Sequence, residues 1–130
     1  VLSTASQFHC PSARIADAAA AQGEGAYLYR FTRKREGADA YGVYHGAEIP
    51  YVFNMHDDWL PTNSDDDKLT ETMMGYWTNF ARAGDPNGAG LPDWPRREPG
   101  TGQVQELGDR VAATGDFMAP LCDALNGSGE

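Results

Sequence analysis

The chain has 130 residues, the length of one ordinary domain with a sizeable core. Its formal charge of −9, from 19 acidic and 10 basic residues, would repel phosphate backbones and anionic lipid surfaces, which excludes nucleic acid as a favoured partner. No run of roughly 18 or more apolar residues is present, so the sequence predicts no membrane span.

The first residues lack the basic and apolar regions of a signal peptide, and they lack an initiator methionine. We therefore expect the chain to begin inside a longer gene product. The first predicted element is a helix over residues 11–23, which Pro11 opens and Gly23 ends. Residues 26–31 alternate aromatic and other side chains, a pattern typical of a strand.

The mixed-charge loop at 32–40 follows, and we predict its basic triplet, Arg33, Lys34 and Arg35, to be solvated. A long helix is predicted over 66–83, where Leu69, Met73, Trp77 and Phe80 recur at helical intervals. The acidic run before it would stabilise the unpaired amides of its first turn.

The last third of the chain begins with a loop rich in proline and glycine, which we expect Trp94 to anchor. A short strand is predicted over 103–107 and a final helix over 115–126. The apolar side of that helix would carry Phe117, Met118, Leu121, Cys122 and Leu125. Asn126-Gly127-Ser128 is a glycosylation sequon, relevant only in a eukaryotic secretory setting.

His45 is the main candidate for chemistry, since an imidazole can take and return a proton near neutral pH when a second group holds its ring. Gly46 removes side-chain bulk beside it, and Glu48 can fix the turn. We expect the apolar run at 49–53 to be buried and to pin the segment. His56 is a weaker candidate: Asp57 and Asp58 would raise its pKa, although a loop histidine in an acidic stretch is usually only solvated.

The two cysteines, Cys10 and Cys122, lie near opposite ends of the chain. No spacing suggests a zinc site, and we predict no metal and no cofactor. Such a pair is usually two buried thiols in a cytosolic protein and a disulfide in a secreted one.

Three motifs together resemble the C-terminal part of the type-B carboxylesterase and cholinesterase family. They are HGAEIPYVF at 45–53, YWTNFARAGDPN at 76–87 and LPDWP at 91–95. The resemblance extends from about residue 8 to residue 125.

The resemblance implies an α/β fold, with the chain (1–130) forming the C-terminal portion of a single α/β-hydrolase catalytic domain. That portion holds the last strands of the central sheet with their packing helices, and it is incomplete without an N-terminal segment. His45 would be the general base of a serine carboxylic-ester hydrolase, with Gly46 and Glu48 supporting it. The family also implies a Cys10–Cys122 disulfide, and hence a secreted or periplasmic protein.

The nucleophile-elbow pattern G-x-S-x-G is absent from the sequence, because no serine has glycines at both flanking positions. The five serines are Ser3, Ser6, Ser12, Ser64 and Ser128. In this family the nucleophile, the triad acid and the oxyanion hole precede the histidine segment. We therefore expect an N-terminal segment or companion chain to supply them, the substrate to be a small-molecule ester, and the isolated chain to be inactive.

Two other functions remain open. The chain can belong to a catalytically inactive relative that acts as an adhesion or scaffold module, although such a relative has no chemical reason to keep His45. It can also be a free-standing small binding domain whose likeness to the family is incidental.

Overall fold

The computed structural model describes residues 2–98 and 102–127, with the Leu2 side chain omitted. The helices are α1 (Leu2–Thr4), a π-helical turn (Ala5–His9), α2 (Cys10–Ala21), α3 (Ile49–Phe53), α4 (Ser64–Ala83) and α5 (Ala119–Gly127). The strands β1 (Tyr29–Phe31), β2 (Gln103–Leu107) and β3 (Val111–Gly115) form one sheet in the order β1-β2-β3.

The chain divides into two compact units. The first unit contains the described residues of 2–28, 95–105 and 113–127, and the second contains 29–94 and 106–112. The His45 segment and α4 belong to the second unit, whereas both cysteines belong to the first.

The first unit is held together around a Cys10–Cys122 disulfide, which confirms that predicted bond. Ala5 is buried with the two cysteines, and Met118 and Leu121 of α5 pack against this cluster. Beside the disulfide, the His9 ring hydrogen-bonds Asp116 with Nε2 2.8 Å from Oδ1. A covalent bond and a polar contact therefore join the π-helical turn and the start of α2 to α5 and the residues just before it.

A buried arginine completes the first unit. Arg97 is only 5% exposed, and its guanidinium donates to both carboxylate oxygens of Asp17 at 2.6 and 3.1 Å. It also donates to the Gln103 carbonyl at 3.0 Å. A two-point contact of this kind orients both side chains, so Arg97 ties the end of the proline-rich loop to α2.

Several of the predicted helices and strands are confirmed and others are wrong. The helix at 11–23 is present as α2, but helical residues already begin at Leu2. Strand β1 starts at Tyr29 instead of residue 26. Strand β3 was not predicted, and because it occupies residues up to Gly115, α5 begins only at Ala119. The Phe117 ring is 59% exposed and lies before α5, not on its buried side.

Helix α4 is the longest element of the second unit and confirms the predicted long helix. Asn63 caps its N-terminus, with its side-chain oxygen accepting the amides of Asp65 and Asp66, and Gly84 ends it in the left-handed conformation. Leu69 and Met73 are buried as predicted. The prediction for Phe80 was wrong, because its ring is 47% exposed.

The loop after α4 packs on that helix through Trp94, which is 4% exposed and confirms the predicted anchor. Its ring makes an edge contact with Tyr76, with centroids 5.1 Å apart. The Tyr76 hydroxyl donates to the Pro92 carbonyl at 2.6 Å, and the Asn79 amide donates to the Pro86 carbonyl at 3.2 Å.

None of the helices within 2–98 and 102–127 has the length and apolarity needed to cross a bilayer. The serine of the 126–128 sequon lies outside the described residues.

The disulfide gives a direct prediction. Digestion of the native gene product without reductant should yield one peptide pair that joins Cys10 to Cys122, and reduction should separate it into two peptides. Mass spectrometry of the two digests measures this. Recovery of both cysteines as alkylated thiols from denatured, unreduced protein would contradict the bond.

Candidate functional site

His45 lies exposed on a turn formed by residues 45–48, which we call the His45 turn. Two backbone hydrogen bonds tighten it: the Ala47 amide donates to the Tyr44 carbonyl at 3.1 Å, and the Ile49 amide donates to the Gly46 carbonyl at 3.1 Å. Gly46 has a φ of +86°, a conformation that residues with a Cβ rarely adopt. The glycine beside His45 is therefore required by the backbone of the turn, and not only by the space around the ring.

The His45 turn leads directly into α3. The Glu48 carbonyl accepts the amides of Tyr51 and Val52 at 3.0 and 3.2 Å, and Asn54 ends the helix with a φ of 50°. The expectation that the apolar run at 49–53 is buried was wrong for two of its residues, because Ile49 is 54% and Phe53 is 65% exposed. Only one face of a five-residue helix points inward, and Tyr51 occupies that face with no exposed surface.

The Glu48 side chain makes no capping hydrogen bond to α3. It lies with Tyr29, at the start of β1, in the lining of one cleft. Burial and the nearby Glu48 charge raise the pKa of Tyr29 to about 12. The tyrosine therefore stays protonated at neutral pH.

Asp66 connects three segments of the second unit at one fully buried carboxylate. It accepts hydrogen bonds from Tyr51 Oη at 2.6 Å, from Arg33 Nε at 2.8 Å and from the Asn63 amide at 2.9 Å. We call these four residues the Asp66 network. It fixes α3, and hence the far end of the His45 turn, against the start of α4.

Asp66 and Arg33 stabilise each other's charged forms. Burial by itself would raise the pKa of the Asp66 carboxyl, but the hydrogen bonds from Arg33, Tyr51 and Asn63 outweigh it and lower the pKa to about 2. The pKa of Arg33 is raised by its bond to Asp66, against the opposing effect of burial, and by its contact with Asp109 at 2.6 Å. Burial and the bond to Asp66 raise the pKa of Tyr51.

The prediction that the basic triplet is solvated was wrong for two of its three residues. Arg33 belongs to the Asp66 network, and Arg35 is 4% exposed. Arg35 donates to Asp57 Oδ1 at 3.1 Å and also to the Pro61 and Leu60 carbonyls. Only Lys34 has its side chain half exposed, in contact with Asp39.

His56 occupies a different environment from His45. Its Nε2 lies 2.9 Å from Thr70 Oγ1, and that hydroxyl donates its own hydrogen to the Asp66 carbonyl at 2.7 Å. Nε2 must therefore carry the proton that this contact needs. Burial first, and then the Arg35 charge, lower the pKa of His56. The acidic neighbour Asp57 does act to raise this pKa, as expected, but its effect is outweighed. These contacts give His56 a structural role.

A cleft of about 640 Å³ opens beside the His45 turn, within the second unit. Its walls combine apolar groups from α3 and α4, among them Ile49, Phe53 and Trp77, with the polar pair Tyr29 and Glu48. The exposed apolar residues of α3 therefore line a concave surface and are not scattered.

The structure brings His45, Gly46 and Glu48 together on one turn, while Cys10 and Cys122 belong to the other unit. Tyr29 and the Asp66 network were not predicted as parts of the site, because tertiary contacts that no local sequence pattern signals bring them there. Within 2–98 and 102–127 there is no group of three or more potential metal ligands.

The model of the carboxylesterase family matches residues 1–121. Acetylcholinesterase of Gallus gallus is 34% identical over 113 residues, which are 82% of this chain and 14% of that protein. Cocaine esterase of Homo sapiens is 45% identical over 53 residues, which are 39% of this chain and 10% of that protein.

A solved structure also resembles the chain. It is an esterase from the anaerobe Clostridium hathewayi that can hydrolyse aliphatic aromatic polyesters. The two superpose with a TM-score of 0.79 at 22% identity over 92% of this chain and 24% of the esterase, which confirms the predicted fold class. The chain thus spans between about a tenth and a quarter of the length of the proteins it matches.

The Asp66 network predicts a pH-dependent loss of stability. In the native gene product, Asp66→Asn should reduce the free energy of unfolding at pH 7 by roughly 2 kcal/mol, the value of a pKa shift from 3.8 to about 2. Because the folded-state pKa is lowered, this contribution is present above about pH 4 and is lost as the pH falls through about 2. Urea unfolding at several pH values measures it.

Asp67→Asn is the matched control, because Asp67 is the next residue of the same acidic run and is exposed. It should change the free energy of unfolding by less than about 0.5 kcal/mol. Equal effects of the two substitutions would contradict the role of Asp66.

Proposed function

Because the chain belongs to the carboxylesterase family, we propose that it is the C-terminal part of a single α/β-hydrolase catalytic domain that hydrolyses carboxylic esters by a serine mechanism. In that domain the chain supplies the general base, His45. The substrate class is a small-molecule carboxylic ester.

The observation that carries the proposal is the position of His45. The residue is exposed on a turn whose backbone is set by Gly46 and continued by α3, so its imidazole is accessible on a fixed support. A general base needs both properties, since it must reach a reacting group and hold its geometry while the proton moves. His56 is hydrogen-bonded to Thr70 and packed against Tyr51, and these contacts give it a structural role.

The mechanism assigns His45 two proton transfers in each half-reaction. The serine hydroxyl attacks the ester carbonyl while His45 takes its proton, and His45 returns that proton to the departing alcohol as the acyl-enzyme forms. Water then attacks the acyl carbon, gives a proton to His45, and the proton passes to the serine oxygen as the acid leaves.

We place the other catalytic groups of the serine mechanism outside this chain. An N-terminal segment or companion chain supplies the nucleophilic serine, the acid that orients His45 and the amide donors of the oxyanion hole. The chain covers a small share of the length of its relatives, which supports this division. On its own the chain is then inactive.

The disulfide supports a location where thiols are oxidised, so we place the protein in a secreted or periplasmic compartment. A second candidate function is a catalytically inactive relative that acts as an adhesion or scaffold module. The exposed, geometrically fixed His45 favours the enzyme.

Two histidine substitutions test the role of His45. In the native gene product, His45→Ala should lower kcat for a p-nitrophenyl ester by about 1,000-fold or more, because the serine loses its base. Its thermal stability should stay near that of the wild type, because exposed positions contribute little.

His56→Gln should show the opposite pattern. It should cost about 1 kcal/mol of stability through the lost contact with Thr70 and leave kcat near the wild-type value. A wild-type kcat in the His45→Ala protein would contradict the proposal.

A fluorophosphonate probe distinguishes an active serine esterase from a catalytically inactive scaffold module. Such a probe phosphonylates an activated serine, so one labelled peptide is expected from the native gene product, and it should contain none of the five serines of this chain. Peptide mapping by mass spectrometry locates the label. A native protein that remains unlabelled would favour the inactive scaffold.

A further inference from the structure

Tyr44 is the residue through which the chain enters the His45 turn. Its carbonyl accepts the Ala47 amide at 3.1 Å, and this hydrogen bond closes the turn around His45. A rotation of the Tyr44 backbone would therefore change the direction in which the His45 imidazole leaves the turn. The bond between Tyr51 and Asp66 holds the far end of the segment, at α3. The entry to the turn is held by a different contact.

Trp59, in the loop after α3, makes that contact. Its indole packs on the Tyr44 ring, with centroids 5.8 Å apart and the two planes inclined by 48°. The same indole makes an edge contact with Tyr41, with centroids 5.6 Å apart. Aromatic rings attract each other in both arrangements. One side chain therefore touches the chain at two points just before it reaches His45.

A buried arginine holds the loop that carries Trp59. Arg35 is 4% exposed, and its guanidinium donates to four acceptors in this loop. They are Asp57 Oδ1 at 3.1 Å and the carbonyls of Asp57 at 3.2 Å, Leu60 and Pro61 at 3.3 Å. Because these acceptors lie on both sides of Trp59 in the sequence, its backbone is fixed although its side chain is 51% exposed.

The backbone of the same arginine begins the turns that lead to Tyr41. The Arg35 carbonyl accepts the amide of the buried Ala38 at 3.2 Å. The Ala38 carbonyl in turn accepts the amides of Tyr41 and Gly42 at 3.0 and 2.8 Å. Arg35 therefore joins the segment that carries the tyrosines to the loop that carries Trp59, and the aromatic contacts form between two held segments.

We propose that Trp59 is a positioning residue for the general base, acting on the entry to the His45 turn through its contact with Tyr44. The inference rests on the proposed function, because it concerns where the His45 imidazole stands when the proton is transferred. Trp59 itself does not touch the reacting atoms. A misplacement of about 1 Å in an active site can cost on the order of 100-fold in rate.

The test is Trp59→Ala in the native gene product, with active sites counted by complete reaction with a fluorophosphonate. For a p-nitrophenyl ester, kcat per active site should fall roughly 10- to 100-fold while KM changes less than about twofold. Trp59→Phe keeps an aromatic ring against Tyr44, so its kcat should return to within about threefold of the wild type.

Two other results would overturn the positioning role. A purely structural role would lower the melting temperature or the number of active sites and leave kcat per site unchanged. A raised KM with a wild-type kcat would show that Trp59 contacts the substrate instead.

Phe117→Ala is the matched control. Phe117 is 59% exposed, close to the exposure of Trp59, and belongs to the first unit, so its variant should keep wild-type kcat and KM. Tyr44→Ala removes the aromatic contact from its other side and serves if Trp59→Ala does not fold. In the Tyr44→Ala background, Trp59→Ala should lower kcat by less than about a further twofold, because both changes remove one interaction.

The outcomes separate the two proposals. If His45→Ala abolishes turnover while Trp59→Ala retains wild-type kcat per site, the positioning role fails and the esterase assignment stands. If His45→Ala retains turnover, the proposed function itself fails. Multiplied losses of kcat in the doubly substituted protein would show that Trp59 acts independently of Tyr44, which also overturns the positioning role.

Discussion

A single buried carboxylate organises the part of the molecule that carries His45. Asp66 accepts hydrogen bonds from a side chain of α3, from an arginine that follows β1 and from the backbone before α4. A buried charge is costly unless its lone pairs find donors, and here the donors are Arg33, Tyr51 and the backbone amide of Asn63 just before α4. The carboxylate can be satisfied only when those segments are correctly assembled, which links the charge of Asp66 to the arrangement of the whole second unit.

The sequence allowed local features to be predicted well and tertiary ones poorly. Helix α4 was predicted because its apolar residues repeat at the helical period and its ends carry capping residues. The acidic run before it was correctly related to the first turn, but nothing local indicates that Asp66 also bonds Arg33 and Tyr51. The same limit explains why Arg35 was expected to be solvated. It lies in a charged loop of the sequence, but the fold places carbonyl groups around its guanidinium and buries it.

Short helices and strands were also predicted poorly from the sequence. Helix α3 has five residues, too few to show a period, and its apolar letters suggested burial throughout. Strand β3 is rich in alanine and has no alternation of apolar and polar residues, so it left no signal. For the candidate site, His45, Gly46 and Glu48 were identified from the motif that contains them, whereas Tyr29 belongs to a strand whose aromatic residues are indistinguishable from ordinary core residues.

Cys10 and Cys122 are 112 positions apart in the sequence, so their disulfide closes a covalent loop that contains most of this chain. A protease that cuts once in any surface segment between the two cysteines produces fragments that remain linked. Such nicked molecules keep the mass of the intact chain, increased only by the water of hydrolysis, and separate on a denaturing gel only after reduction. Limited proteolysis would therefore open the loop without releasing either terminal piece.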